Sequence, residues 1–235
     1  MRVLFIQHDH LSPVGPVGER FVDRGYDVRT MSVVPQHRFS DPDVQVSFPD
    51  PLTFDAIVPM GAVWSVYDDN SIGSWIHDEL TFLRAAHDGG VPVLGICFGG
   101  QALATALGGS VERGPEPEIG WTSIDSDDAG LIEPGPWFQF HYDRWNLPPG
   151  AVEVARTGRA SQAYVLGRSL GVQFHPELTV SALEGWNANG GAASIRAHGL
   201  DPDEVLEQTR SQEPSATQRA ARLVDRFLDQ VATTA

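Results

Sequence analysis

The sequence predicts an α/β protein built on a mostly parallel, doubly wound sheet. Three observations carry that expectation. Short apolar runs rich in β-branched residues stand at 2–7, 55–60 and 91–96, as expected of strands buried on both faces. The segments between them space their apolar residues at helical intervals, giving the strand–helix alternation of a parallel sheet. The run at 55–60 also ends at Gly61-Ala62, where such a sheet opens its binding crevice.

The elements follow in order. Arg2 to Gln7 reads as a buried strand, followed by His8-Asp9-His10 and the loop Ser12-Pro13-Val14-Gly15-Pro16. His8 and His10 are metal-ligand types, yet neighbours on a strand face opposite sides and no further ligand cluster lies nearby, so the triplet reads as a polar loop. Glu19 to Arg24 reads as a short helix closed by Gly25, and Tyr26 to Val34 as a second strand. Residues 35–53, rich in Pro, Asp and Ser, read as a surface connection. After the strand Asp55 to Met60 and a loop through Asp69, apolar positions 76, 80, 83 and 86 predict a helix over Ser74 to His87. Gly89-Gly90 ends it. Val91 to Leu94 is the next strand, and good helix formers run from Phe98 to Gly108-Gly109.

The second half reads differently. Short strands are expected near Val111, Trp121–Ile124, Trp137–Phe140, Val152–Ala155, Ala163–Leu166 and Leu170–Phe174, punctuated by Gly and Pro, as an antiparallel or mixed extension of the sheet. Thr179 to Trp186 can form a short helix. Asp201-Pro202-Asp203-Glu204 looks like the N-terminal cap of a helix that precedes the final one. Farther on, Ala220, Leu223, Val224, Phe227, Leu228 and Val231 form an amphipathic stripe. The expected organisation is a main domain over 1–189 with a helical extension, 190–235, packed on it.

Composition narrows the chemistry. The 235 residues suit one large α/β domain, and a net charge of −15 argues against nucleic acid or an anionic membrane as a partner. All 16 basic residues are arginine. A Walker-type lysine, a Schiff-base lysine and a lysine general base are thereby excluded. A single cysteine precludes an internal disulfide, and no apolar stretch approaches membrane-spanning length, so a cytoplasmic location is expected.

That cysteine, Cys97, lies between a strand and a helix, flanked at two-residue distance by Gly95 and Gly99. Glycines there let strand and helix crowd together. The pattern suits a nucleophile elbow, in which the side chain is exposed at the turn and the helix dipole favours the thiolate. The second signal is His175-Pro176-Glu177. Positions two apart on an extended chain share a side, so Glu177 can orient His175 as a base for a thiol. Trp64, Trp75, Trp121, Trp137, Trp145 and Trp186 read as packing, with pocket walls as the alternative for Trp121 and Trp145.

Together, Gly95-Ile96-Cys97-Phe98-Gly99-Gly100-Gln101 and His175-Pro176-Glu177 resemble the class I (triad-type) glutamine amidotransferases, in particular the glutaminase part of GMP synthase. Met60-Gly61-Ala62 with Ser65–Asp69 resembles the family's oxyanion segment, and Phe138–Asp143 its His-x-Asp segment. The resemblance spans about residues 1–190 and implies a flavodoxin-like fold. It implies a triad of Cys97, His175 and Glu177, an oxyanion hole from Phe98 and Gly61-Ala62, and substrate contacts from Gln101, His141, Tyr142 and Asp143. The reaction implied is attack on a glutamine γ-amide through a thioester, with no cofactor and no metal.

Two departures stand out. Ala62 replaces a frequent glycine and tolerates positive φ poorly, while Tyr142 replaces another glycine and narrows the pocket. No synthetase segment accompanies the motifs, so ammonia is expected to pass to a separate synthetase subunit or to be released. A γ-glutamyl peptide hydrolase and a non-catalytic binding module of the same fold are the alternatives. A peptidase or chaperone with a cysteine elbow is disfavoured by the His-Pro-Glu segment.

Overall fold

In the computed structural model, which describes residues 1–234, β1 (Arg2–Gln7) runs through the interior of the main sheet. Its residues divide the core: Val3 and Phe5 join one hydrophobic cluster, Leu4 and Ile6 the other, as the period of a strand requires. Helix α1 (Gly15–Asp23) precedes β2 (Asp27–Ser32). It begins at Gly15 rather than at Glu19 because Pro16, in its first turn, needs no amide partner and has a helical φ built in. Strand β3 (Ala56–Pro59) leads to α2 (Asp69–Asp88), which also starts earlier than its apolar spacing indicated. Asp68 caps it, accepting from the Ser71 N–H at 3.3 Å. Then come β4 (Val93–Ile96) and α3 (Phe98–Ala106).

Strands β5 (Ser110–Thr122), β6 (Asp125–Ser126) and β7 (Trp137–Asn146) follow. β5 and β7 form an antiparallel ribbon of their own. The short strands expected near Val111 and Trp121 are the two ends of β5. Its pairing with β7 is irregular between Arg113 and Glu118, where Pro115 and Pro117 offer no N–H to the ladder. Strands β8 (Val152–Arg156), β9 (Ser161–Leu166) and β10 (Ser169–Val172) return to the main sheet. Its order is β2-β1-β3-β4-β10-β9-β8-β6. The first five strands are parallel and the last three antiparallel to their neighbours. The expected doubly wound sheet with a mixed extension is thus the one observed.

Helices α4 (Val180–Trp186), α5 (Ala192–Ala197) and α6 (Pro202–Arg226) close the chain. The Asp201 cap and the apolar stripe, which the sequence suggested as separate helices, belong largely to one: α6 runs through Pro214 without ending. Its stripe, continued by the turn Phe227–Val231, is buried in the cluster that holds Val3, Phe5 and Phe21. Asp225 ties it to α1 through Arg20 at 2.9 Å and Arg24 at 2.7 Å. Leu223→Ala should therefore cost about 2–5 kcal/mol in urea unfolding. A helix lying loosely on the surface would lose under about 0.5 kcal/mol.

Candidate active site

Four parallel strands deliver polar groups to one rim of the sheet. His8 follows β1, Gly61 follows β3, Cys97 follows β4, and His175 lies just beyond β10. The strand ends are where open α/β sheets place ligands. Cys97 has φ 50° and ψ −110°, the one non-glycine at positive φ among the described residues. Hydrogen bonds clamp the turn: Cys97 N–H donates to Val172 O at 2.7 Å, and Gly99 N–H to Met60 O at 3.0 Å. A Cβ on Gly99 would lie 2.0 Å from Pro59 O, so only glycine fits. Cys97 is also the cap residue of α3, so the Phe98 N–H and the positive helix end lie next to it.

His175 and Glu177 complete the cluster. His175 Nδ1 is 2.8 Å from Glu177 Oε1, and both residues are buried. Nε2 makes no hydrogen bond of ordinary geometry, and the imidazole interacts with Cys97. Burial by itself would lower the pKa of this ring. The charges of Glu177 and Cys97, with the Glu177 hydrogen bond, outweigh it and push the value up to about 10. The cluster opens into a cavity of about 400 Å³ whose lining includes Gly61, Ala62, Phe98, Gln101 and residues 141–143. Among the described residues, neither the Ala62 nor the Phe98 N–H has a protein acceptor, which leaves two donors for an oxyanion.

Residues 19–185 match the glutamine amidotransferase class-I family. This chain belongs to that family. It is 39% identical over 145 residues to a GMP synthase [glutamine-hydrolyzing] of Aeropyrum pernix, covering 56% of this chain and 28% of that protein. Another GMP synthase [glutamine-hydrolyzing], from Rhodopseudomonas palustris, is 36% identical over 136 residues, with 52% of this chain and 24% of that protein covered. The chain thus spans less than a third of these curated relatives. Among solved structures, a glutamine amidotransferase from Methylobacillus flagellatus superposes with a TM-score of 0.83 at 25% identity, covering 98% of this chain and 95% of the other. A glutamine amidotransferase from Thermotoga maritima has the same fold, with a TM-score of 0.81 at 24% identity, covering 98% and 99%. The tail, which the motif resemblance left out, lies within these superpositions.

In this class-I amidotransferase chain all ten residues singled out from the sequence line or adjoin one cavity. Ala62 has no positive φ, so the strain foreseen for it is absent. Asp143 accepts hydrogen bonds from Ser65 Oγ and, at 3.0 Å, from Tyr67 OH. Gln101 Nε2 donates to Asp143 O and to Gln173 Oε1, each at 3.2 Å. His141 Nδ1 lies 3.0 Å from the same Asp143 carbonyl, and its Nε2 lies 3.3 Å from Glu118 Oε2. Trp121 and Trp145 serve packing, the first reading given to them, and do not line the cavity. Trp121 is hydrogen-bonded to Thr209 Oγ1 at 3.0 Å, and Trp145 packs edge-on to Tyr164, because the inward and outward faces of the ribbon place them there. Trp64 and Trp186 line the cavity instead, Trp186 with its ring 5.0 Å from that of His175. Arg113 also lines it, directly opposite Asp143 in the ribbon; nothing local in the sequence marked it. His10 packs on Phe39. Among the described residues no group of three or more His, Cys, Asp or Glu could hold a metal.

The His175 ring supplies a direct test. Its NMR Cε1–H signal should keep its protonated shift through neutral pH and titrate only toward pH 10. Glu177→Gln should bring that titration down toward the ordinary value. The same sign governs stability: the contribution is complete below the unfolded-state value of 6.5 and is lost as pH rises through about 10. Titration of His175 near pH 6.5 in the wild type would contradict the pairing.

Proposed function

We propose that this chain hydrolyses the γ-amide of glutamine through a thioester on Cys97. The observation that carries the reading is the meeting of a positive-φ cysteine with a Glu177-oriented imidazole beside two free backbone donors. The thiolate attacks the amide carbon, and the charge that develops on oxygen is taken up by the Ala62 and Phe98 N–H groups. His175 protonates the departing nitrogen, and ammonia leaves. Water then adds to the thioester with His175 as base, which releases glutamate and restores the thiolate. Glu177 keeps the imidazole oriented throughout.

The substrate's α-ammonium and α-carboxylate need opposite charges. Asp143 and Arg113, paired across the ribbon and both at the cavity, suit them. Gln101, His141 and Tyr142 shape the same wall. The similarity to GMP synthases [glutamine-hydrolyzing] supports a synthetase as the receiver of ammonia. A second reading has an observation of its own. Phe39, Trp64 and Trp186 line the cavity, and aromatic surface of that kind favours γ-glutamyl compounds whose leaving amine is larger than ammonia.

The test is glutamate release from glutamine and from a panel of γ-glutamyl amides, alone and with a synthetase added. Wild-type chain should release glutamate, Cys97→Ala should release none, and Glu177→Gln should lose about 10²-fold or more in kcat. Turnover that survives Cys97→Ala would remove the thioester route. Faster release from bulky amides than from glutamine would favour the second reading.

A further inference from the structure

The carbonyl of Gly61 is held by groups that take no part in the proposed chemistry. His8 Nδ1 lies 3.3 Å from that oxygen, and Ser12 Oγ lies 3.2 Å from it. A carbonyl can only accept, so Nδ1 carries a proton. The other ring nitrogen, Nε2, is 2.8 Å from Glu79 Oε1 on α2, and the His8 and Glu79 side chains are both 0% exposed. Both neighbours of the ring are acceptors, a carbonyl and a carboxylate, so both nitrogens act as donors; burial opposes the charged ring, while Glu79 and, more weakly, Asp9 raise the His8 pKa. Ser12 Oγ also lies 3.1 Å from Asp9 Oδ1, so its single proton is shared between that carboxylate and the Gly61 carbonyl. The His8 ring also packs 4.7 Å from the ring of Phe98, the residue that follows the nucleophile.

The consequence follows from the planarity of the peptide. In a trans amide the C=O and N–H point in opposite directions. An oxygen fixed toward His8 and Ser12 therefore turns the N–H of the same peptide, that of Ala62, the other way. Ala62 lines the cavity, and its N–H has no acceptor among the described residues. Free rotation of this peptide would swing a donor out of the hole and a carbonyl oxygen into it. A buried imidazole–carboxylate pair is also a poor source of stability, because desolvation cancels most of the attraction. What it yields here is direction.

We propose that the buried His8–Glu79 pair, with Ser12, is a positioning device that holds the Gly61 carbonyl so that the Ala62 N–H faces the developing oxyanion. The inference rests on the hydrolytic reading for its kinetic consequence but not for its geometry. His8 and Glu79 are positioning residues, with no contact to the reacting atoms.

The test uses the full chain with the double substitution His8→Phe/Glu79→Met, which keeps ring packing and removes both polar partners, and separately Ser12→Ala. The double variant should keep or gain thermal stability. Its kcat for glutamine should nonetheless fall about 10- to 100-fold with KM nearly unchanged, since a misaimed donor is a partial loss of an oxyanion contact. Ser12→Ala should lose less. Alkylation of Cys97 by iodoacetamide, a displacement that builds no oxyanion, should proceed at the wild-type rate in both. The Ala62 amide NMR signal should shift in both variants. Unchanged kcat in a folded double variant would overturn the proposal, as would parallel losses in turnover and alkylation. If the wild type hydrolyses no γ-glutamyl amide, the functional reading falls and the Ala62 signal alone decides: an unmoved amide in both variants would overturn the positioning role.

Discussion

The turn at Cys97 places a β-carbon where L-residues rarely put one, at a cost of about 1–3 kcal/mol. It persists because neighbouring strands hold both of its ends. Val172 at the end of β10 takes the Cys97 N–H, and Met60 beyond β3 takes the Gly99 N–H. Those bonds require α3 to approach β3 so closely that Gly99 touches the Pro59 carbonyl. The same contacts decide what else is in reach. Because β10 lies next to β4 with Val172 opposite Ile96, the chain leaving β10 passes the cysteine and delivers His175. The strain and the encounter of thiol with imidazole share one cause.

Behind that encounter lies a polar layer that an apolar core would normally exclude. Gln173 Nε2 lies 3.6 Å from the Cys97 sulfur and shares its carbonyl oxygen with Gln101, which reaches the Asp143 backbone. Glu118, buried farther along, accepts from Gln162 at 2.9 Å and from Thr157 at 3.1 Å. Unpaired, such groups would each cost about 1–3 kcal/mol. Paired, they fix the β5–β7 ribbon against the main sheet. The bonds from Ser65 and Tyr67 to Asp143 extend that link to the loop after β3. The ribbon and the oxyanion segment are thereby joined at Asp143.

How much of this was legible in the sequence depends on the range of the interaction. The parallel strands, the elbow and the His-Pro-Glu segment are local patterns, and local periodicity and glycine spacing report them faithfully. Helix starts were misplaced where a cap outranked apolar spacing, at Pro16 and at Asp68. The single strand β5 was read as two because Gly114, Pro115 and Pro117 interrupt its pattern while its partner keeps the pairing going on both sides. His8 and Glu79 stand 71 positions apart, and only the packing of α2 on the end of β1 brings them together. Taken singly, His8 looked like part of a polar loop and Glu79 like any helix glutamate. Trp64 and Trp186, read as packing alone, line the cavity for the same reason: which surface meets it is a tertiary fact.

The opposite end of the sheet shows what the functional rim gives up. There Arg168, in the turn between β9 and β10, donates to Gly90 O at 2.6 Å, just before β4, and through Nε to Ala232 O at 2.7 Å. One guanidinium thus satisfies carbonyls from the entry to β4 and from the end of the tail, a planar fork suited to several acceptors. It holds the starts of the two strands whose ends carry Cys97 and lead to His175. The tail reinforces them from below, with Val224, Phe227 and Val231 packed into the cluster that contains Leu94, Ile96, Leu170 and Val172. A strained turn keeps its geometry only if the strands feeding it do not slide. In this chain the anchoring is done by arginine, carbonyls and apolar helix at one end, so that the other end is free to carry a bent backbone, buried charge and unpaired donors.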